Sequence, residues 1–372
     1  MKNLRKKASD VALDSVAPAI DFFRKIEPKD RVVILHDEDC DGVCSGVILS
    51  MVLREFCKNN PAMISTEWNT TLTRKLVKKV LAKKPEILII TDVAYMDLGL
   101  LKRLSGKSKV LVIDHHNVRK YENVVYCNPR SFDAGAYLPA TCLSYKISEM
   151  LGVRNKKITW IAAVGVLGDH GVENCTDIFT KLKKEFPELL ENAEIKSEKL
   201  FDGSKIGLLT KIVDAGRVAG GDDGASYAAK TLLGVKNYSE ILERRTAEAK
   251  KLVAWYETVR KEFDRLVGEF KEKNVPVGDV LFFEFKSKLR IKSTLASAVE
   301  NFYDDNIIVI GQKEGKHYLL SMRRGKNVKI DLDKLIRSAI KNIPNSTGGG
   351  HPQACAGRIP IVYKDVFLKN LA

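Results

Sequence analysis

Three short apolar runs in the first third of the chain alternate with stretches of helical periodicity. The runs cover 31–35, 87–90 and 110–113, and their β-branched residues are typical of buried strands. Between them, 43–56 and 73–83 repeat apolar residues at the spacing of one helix face. This alternation of strand and helix predicts an α/β domain built on a parallel sheet with helical crossovers.

The pattern changes twice further along the chain. Residues 176–275 favour helices, including a long helix from about 240 to 273, and the end of the chain returns to short strands. The last part predicts strands over 280–285, 307–310 and 318–322, a helix over 331–342 and a glycine-rich loop over 346–351. We therefore expect an N-terminal parallel-sheet domain over 1–175, a helical connector over 176–275 and a smaller C-terminal α+β domain over 276–372.

Acidic and histidine side chains follow the predicted strands directly. The carboxyl ends of parallel strands meet at one edge of a sheet, which is where ligands of such folds bind. A further carboxylate follows the apolar segment 158–168. The residues expected at this edge are Asp37, Asp39, Asp41, Asp92, Asp114, His115, His116 and Asp169.

Three carboxylates at alternate positions after the first strand indicate a cation site. Asp37, Asp39 and Asp41 would repel one another, and a divalent cation relieves such repulsion. A solvated acidic turn is the alternative. A calcium-binding EF-hand loop is excluded, because a strand precedes the acids and Ile48 stands where that loop needs a glutamate. Carboxylates with one or two imidazoles suit Mn²⁺ or Mg²⁺ better than Zn²⁺.

A second candidate site lies near the C-terminus. Gly348, Gly349 and Gly350 precede His351, and consecutive glycines let backbone N–H groups approach an anion closely. Arg323, at the end of a predicted strand, offers a guanidinium group to phosphate. A flexible glycine-rich turn is the alternative interpretation.

The net charge of the chain favours some classes of binding partner over others. Sixty-two Lys and Arg against 47 Asp and Glu give a net charge of +15, which favours a polyanion such as nucleic acid or a membrane surface. A lysine-rich surface of the thermophile type would give the same excess. Neither a secretory signal nor an apolar run of membrane-spanning length is apparent, so we expect a cytoplasmic protein with no membrane partner. Its seven cysteines would be reduced, with Cys40 and Cys44 as buried thiols rather than metal ligands.

The motifs in their order resemble the DHH phosphoesterase superfamily with its DHH-associated C-terminal domain. The first loop is most similar to RecJ-type nucleases, including the archaeal RecJ-like group. The motifs that carry the resemblance are Asp37-x-Asp39-x-Asp41-Gly42, Thr91-Asp92, Asp114-His115-His116, Gly168-Asp169 and Gly349-Gly350-His351-x-x-Ala354-x-Ala356-Gly357.

The resemblance implies a role for each of these positions. Two ions, Mn²⁺ or alternatively Mg²⁺, would be held by Asp37, Asp39, Asp41, Asp92, His115 and Asp169, with Asp92 bridging both. His116 would contact the scissile phosphate or act as general acid, and Asp114 would orient an imidazole. Arg323, His351 and the glycines 348–350 would hold the phosphates of the substrate.

The implied function is a metal-dependent exonuclease that hydrolyses single-stranded DNA or RNA by a two-metal mechanism. One alternative is a phosphodiesterase or phosphatase for nano-oligonucleotides, phosphoadenosine phosphate or cyclic dinucleotides. A pyrophosphatase of the same superfamily fits less well, because those enzymes lack the Gly-Gly-Gly-His domain. The non-enzymatic alternative is a scaffold subunit, and an active nuclease would also be free to dock on replisome proteins such as GINS.

Overall fold

The structure, a computed structural model, describes residues 8–67, 71–117 and 119–371. The chain divides into two compact units, one up to Tyr256 and one from Glu257 onward. Helix α12 crosses that boundary. The first unit and this helix contain α1 (Ala8–Phe23), β1 (Val32–His36), α2 (Cys40–Glu55), β2 (Ala62–Ser65), α3 (Arg74–Leu81), β3 (Ile87–Thr91), α4 (Leu98–Ser105), β4 (Lys109–Ile113), β5 (Val124–Cys127), α5 (Ala140–Met150), α6 (Lys156–Gly168), α7 (Thr176–Glu185), α8 (Ser197–Gly203), α9 (Lys205–Ala219), α10 (Gly224–Gly234), α11 (Ser239–Leu242) and α12 (Ala247–Lys273).

The strands of the first unit form one parallel sheet in the order β2-β1-β3-β4-β5. This confirms the predicted α/β class. Strands β1 and β3 are buried along their whole length, because helices cover both faces of the sheet. On one face Ile34 packs in the core that includes residues of α1, α2, α5 and α6, and on the other Leu35 packs with residues of α3 and α4.

The register of the central strands brings their ends level. His36 pairs with Thr91, and Thr91 pairs with Ile113. The residues that follow these three positions, Asp37, Asp92 and Asp114, therefore start side by side at one edge of the sheet. This alignment is what assembles the candidate site.

The two outer strands, β2 and β5, do not appear among the sequence-based predictions. Each has only four residues, and each is partly exposed because it forms one edge of the sheet. Such short runs lack the continuous apolar pattern of a central strand. The apolar segment 158–168 is part of helix α6, which is buried over most of its length.

The helices predicted to form a connector pack on the same core as the sheet up to residue 256. Phe179, Leu209 and Leu232, from α7, α9 and α10, belong to the cluster that contains Ile34. The predicted long helix starts at Ala247 rather than near 240, because Arg244 adopts a left-handed conformation with φ 57° and separates it from α11. The three-part division of the chain remains a prediction.

The second unit is a smaller α+β domain. Its sheet has the order β10-β11-β9-β8-β7-β6, in which β7 and β8 run parallel and the other pairs antiparallel. Helix α13 packs on one face of this sheet, and α14 and α15 pack on the other. The elements are β6 (Val275–Val277), β7 (Val280–Phe285), α13 (Lys292–Glu300), β8 (Ile307–Glu314), β9 (His317–Arg324), α14 (Leu332–Ile340), β10 (Thr347–Gly350), β11 (Ala354–Pro360) and α15 (Lys364–Leu371).

The glycine-rich segment is a strand, so the prediction of a loop over 346–351 is wrong. Thr347–Gly350 pairs with β11, with Gly349 opposite Ala356. A Cβ atom on Gly348 would lie 2.8 Å from Cδ1 of Ile336, and one on Gly349 would lie 2.6 Å from a guanidinium nitrogen of Arg337. These glycines therefore let helix α14 lie close against the strand.

Across the described ranges, no helix combines the length and apolar character that a bilayer span requires. All seven cysteines are buried and free. Cys40 and Cys44 lie inside α2, at the positions expected for buried thiols.

Candidate metal centre

The loop after β1 is shaped by its carboxylates. The Asp39 side chain caps α2 by accepting a hydrogen bond from the Gly42 N–H at 2.9 Å. Asp37 accepts a hydrogen bond of 2.6 Å from Thr66 Oγ1, just beyond β2. Gly42 is required here, because a Cβ atom at this position would lie 2.6 Å from the Cβ of Asp37. The loop therefore presents Asp37 and Asp39 in defined positions.

Asp41 joins this loop to a helix that is distant in sequence. Its two carboxylate oxygens accept hydrogen bonds from the backbone N–H groups of Ala140, at 2.7 Å, and Thr141, at 2.8 Å. These groups form the start of α5, where the helix dipole favours negative charge. Asp41 is thus fixed against the N-terminus of α5.

The side chains of Asp92 and His115 lie next to each other in the middle of this edge of the sheet. Asp92 Oδ1 lies 3.3 Å from Nε2 of His115, and both side chains are buried. The same Nε2 lies 3.6 Å from Oδ2 of Asp169, the residue that directly follows α6. Asp169 also accepts a hydrogen bond of 2.7 Å from the Tyr137 hydroxyl. Asp92 has a φ of 62°, a conformation that Asp adopts more readily than most residues.

Asp114 and His116 form a second pair beside this centre. Asp114 Oδ1 accepts hydrogen bonds from the backbone N–H of His116, at 2.7 Å, and from its ring Nδ1, at 2.9 Å. Asp114 is fully buried, whereas 41% of the His116 side chain is exposed. Arg130 supports the segment by donating from Nε to the backbone oxygen of His115 at 2.7 Å.

The carboxylates of the centre hold their protons unusually tightly. Burial, followed by repulsion from Asp39, raises the pKa of Asp37 to about 8 and that of Asp169 to about 7. Burial and neighbouring carboxylates also raise the pKa of Asp41 and Asp92 well above the ordinary value. A cation bound among these carboxylates would lower their pKa values again.

The two histidines differ in protonation. Burial and the proximity of His116 lower the pKa of His115 to about 4, so its ring is neutral, as a metal ligand must be. Burial acts in the same direction on His116, but its hydrogen bond to Asp114 and the negative charges of Asp114, Asp169 and Asp39 together outweigh burial and raise its pKa. His116 therefore holds a proton more tightly than His115 does.

The potential ligand atoms fall into three overlapping groups, each with its atoms within 4.8 Å of one another. Asp92 belongs to two of the groups, and so does His115. Asp92 Oδ1 accepts no hydrogen bond from any described residue although it is buried, which fits a coordinated cation. The groups are Asp37, Asp39 and Asp92; Asp41, His115 and Asp169; and Asp92, His115 and His116.

All eight residues predicted for this edge thus lie together, with Asp114 behind His116. Their roles as ligands and catalysts remain predictions. The sequence predicts the helix from Ala140 to Met150, but it did not indicate that the start of this helix, Thr66 and Tyr137 contact the carboxylates. Thr66 follows the apolar residues Met63 and Ile64, a weak strand signal, whereas Tyr137 carries no local signal.

The candidate substrate-binding residues lie in the second unit. Arg323 donates to Ser297 Oγ at 3.1 Å and to the Met322 backbone oxygen at 2.9 Å, so its guanidinium is partly engaged. The Gly350 N–H donates to Asp333 Oδ1 at 2.8 Å. His351 is exposed. One of the N–H groups predicted to bind phosphate therefore already donates a hydrogen bond to a carboxylate.

Comparison with protein families identifies both units. The DHH family, N-terminal domain, matches residues 31–166, and the DHHA1 domain matches residues 261–371. Comparison with curated proteins found no match.

Solved structures with low sequence identity share the fold. RecJ from Thermus thermophilus in complex with Mn²⁺ is 15% identical with a TM-score of 0.72; the match covers 96% of this chain and 54% of RecJ, so the chain spans about half the length of that protein. The exonuclease RecJ bound to manganese is 14% identical with a TM-score of 0.68, covering 98% of this chain and 93% of that one. CDC45 from Entamoeba histolytica is 10% identical with a TM-score of 0.59, covering 98% and 99%. The chain belongs to the DHH superfamily, with a DHH N-terminal domain, a DHHA1 domain and a RecJ-like fold.

Proposed function

We propose that this protein is a metal-dependent exonuclease that hydrolyses phosphodiester bonds of single-stranded DNA or RNA. The observation that carries the proposal is the sharing of Asp92 and His115 among three groups of potential ligands. Ligands shared between groups would hold two cations next to each other, the arrangement used in two-metal phosphoryl displacement.

In this proposal Asp37, Asp39 and Asp92 hold one ion, and Asp92, Asp169 and His115 hold the other. Oxygen-rich ligands with one imidazole suit Mn²⁺ or Mg²⁺. Asp41 completes the second position while the N-terminus of α5 fixes its orientation. When bound, the ions lower the pKa of a coordinated water and stabilise the charge that develops on the phosphoryl oxygens.

His116 supplies the proton that the reaction requires. Water forms a new P–O bond as the bond between phosphorus and the leaving oxygen breaks, and that oxygen needs a proton. Asp114 holds Nδ1 of His116 at 2.9 Å, and the ring is partly open to solvent, so Nε2 is the atom free to donate. The raised pKa of His116 favours the protonated ring that this role requires.

Two further observations support a nucleic-acid substrate. The net charge of +15 favours a long anionic strand, since each neutralised phosphate adds to the affinity. The fold is shared with an exonuclease, RecJ bound to manganese. We assign Arg323, His351 and the glycines 348–350 to phosphate binding in the second unit, which for Gly350 requires displacement of the Asp333 carboxylate. The fold shared with CDC45 supports docking on a replisome protein as an additional role.

The test is hydrolysis of 5′-labelled and 3′-labelled single strands of DNA and RNA, from dinucleotides to several tens of nucleotides, with Mn²⁺ and with chelator. Metal-dependent ladders on long strands are expected, and Asp92→Asn should abolish them while Asp264→Asn, on the exposed side of α12, should not. Cleavage confined to the shortest substrates would favour a phosphodiesterase for nano-oligonucleotides. No cleavage of any substrate would refute the proposal and favour a scaffold.

A further inference from the structure

An aromatic side chain stands in solvent at the edge of the sheet that carries the candidate metal centre. Tyr95 is 69% exposed and follows Asp92 by three residues. Three residues span at most about 11 Å of chain. The ring is therefore attached close to the central carboxylate of the site.

The backbone that carries Tyr95 is well fixed. Its carbonyl oxygen accepts a hydrogen bond of 2.9 Å from the Leu72 N–H, and Thr71 and Tyr95 form an isolated parallel bridge. Two residues later, Asp97 caps α4 by accepting a hydrogen bond from Leu100 N–H. A phenol ring held out on an ordered backbone loses little conformational entropy when it binds a ligand.

We propose that Tyr95 is a stacking platform for a base of the single-stranded substrate, next to the phosphate that is cleaved. The inference rests on the proposed nuclease function and specifies how the same site grips its strand. Every base has an aromatic face, so stacking on tyrosine gives affinity without sequence preference.

An exposed cation near Tyr95 matches a nucleic-acid strand better than an apolar partner. Arg74 begins α3, three residues after Thr71, which forms the bridge with Tyr95, and its side chain is exposed. A cation beside an aromatic ring follows the pattern of single-strand binding grooves, in which cations contact phosphates and the ring contacts a base.

The test uses an oligonucleotide in which a single abasic position is moved along the strand, with kcat/KM measured in Mn²⁺. For the wild type, one abasic position should lower kcat/KM by about 5- to 150-fold, mainly through KM, the range expected for one stacked base. Tyr95→Ala should lower kcat/KM on the intact strand by a similar factor and become insensitive to the abasic position. Tyr95→Phe, which keeps the ring, should behave as the wild type, whereas Tyr95→Leu should behave as Tyr95→Ala.

A second measurement detects the stack directly. An oligonucleotide with 2-aminopurine at the sensitive position should lose fluorescence on binding the wild type and Tyr95→Phe, but not Tyr95→Ala. Phe56→Ala, which removes another exposed ring at the far end of α2, should change neither result.

The outcomes separate the two proposals. Cleavage by the wild type with Tyr95→Ala equally active and equally sensitive to the abasic position would overturn the platform and leave the nuclease function intact. Absence of cleavage by the wild type would overturn both. Loss of binding to a protein partner with unchanged strand cleavage would assign Tyr95 to a protein interface instead.

Discussion

Replacing Asp92 by asparagine should stabilise the metal-free protein while abolishing its activity. The Asp92 side chain is only 3% exposed, and Oδ1 accepts no hydrogen bond from the described residues. Asparagine removes the cost of burying this carboxyl group, whether it stays charged or takes up a proton, keeps the shape, and tolerates the φ of 62° as readily as aspartate does. The substitution therefore isolates the electrostatic cost of the carboxylate.

The gain comes from removing one ionisable group from among several buried carboxylates, and the desolvation cost of a buried unpaired group, roughly 1–3 kcal/mol and more when it is charged, sets its scale. For a unit of this size, each kcal/mol shifts the midpoint of thermal unfolding by about 2–4 °C. In chelator near neutral pH, the first unit of Asp92→Asn should therefore unfold roughly 2–12 °C above wild type. Mn²⁺ should reverse this order, because each of the two proposed ions at 100 times its Kd adds about 2.7 kcal/mol to the wild type and far less to a variant that lacks a shared ligand. Together the two ions exceed the gain of roughly 1–3 kcal/mol expected for the metal-free variant.

The assay is differential scanning calorimetry of both proteins in chelator and in Mn²⁺. Asp264→Asn is the matched control, since its carboxylate is 67% exposed and its loss should change stability by no more than about 0.5 kcal/mol. Asp92→Ala should gain less than Asp92→Asn, because alanine disfavours a positive φ. A lower metal-free midpoint for Asp92→Asn, or equal stabilisation of wild type and variant by Mn²⁺, would refute the assignment of Asp92 as a shared ligand.

Protonation, glycine packing and salt dependence give three further predictions. In chelator, calorimetry should show stability falling as pH rises towards 8. The raised pKa values of Asp37, about 8, and Asp169, about 7, mean that these groups bind more protons in the folded protein than in the unfolded chain, and each such proton contributes up to about 1.4 kcal/mol per pH unit. The lowered pKa of His115, about 4, acts in the opposite direction below about 6.5, so the fall should be steepest above that pH. Saturating Mn²⁺ should flatten this slope, and an unchanged slope would contradict cation binding at these carboxylates. Gly348→Ala should lower the unfolding midpoint of the second unit by the equivalent of about 1–3 kcal/mol, because its Cβ would lie 2.8 Å from Ile336, whereas Gly268→Ala in α12, which meets no atom within 4 Å, should be neutral or stabilising. Raising the salt concentration should weaken binding of long strands much more than binding of dinucleotides. A plot of log affinity against log salt concentration should have a slope of about −0.7 for each phosphate of a single strand that the protein neutralises. Equal slopes for long strands and dinucleotides would refute an extended strand-binding surface.

Much of the first unit could be predicted because its central strands are buried on both faces. A strand with this environment needs an almost continuous apolar run, so β1, β3 and β4 are visible in the sequence. Residues that follow such runs at the same edge, such as Asp92 and His115, are then expected to meet. The short outer strands β2 and β5 give no comparable signal.

The second unit shows where local patterns mislead. Three consecutive glycines favour a flexible loop, yet they pair with β11 as strand β10, and Ile336 of helix α14 packs directly against them. The same close approach brings Asp333 onto the Gly350 N–H. Glycine composition reveals that something approaches the backbone closely, but not whether it is a ligand or a helix.

The sequence by itself determined the fold class, the edge of the sheet where the chemistry lies and the acids and histidines gathered there. These features depend on local periodicity and on strand order along the chain. Only the tertiary structure decided how each group is held: Asp41 by the start of α5, about a hundred residues away, Asp37 by Thr66, and Asp169 by Tyr137. Contacts between distant segments depend on how the helices pack over the sheet. The hydrophobic pattern along the chain does not show which distant residues this packing brings together.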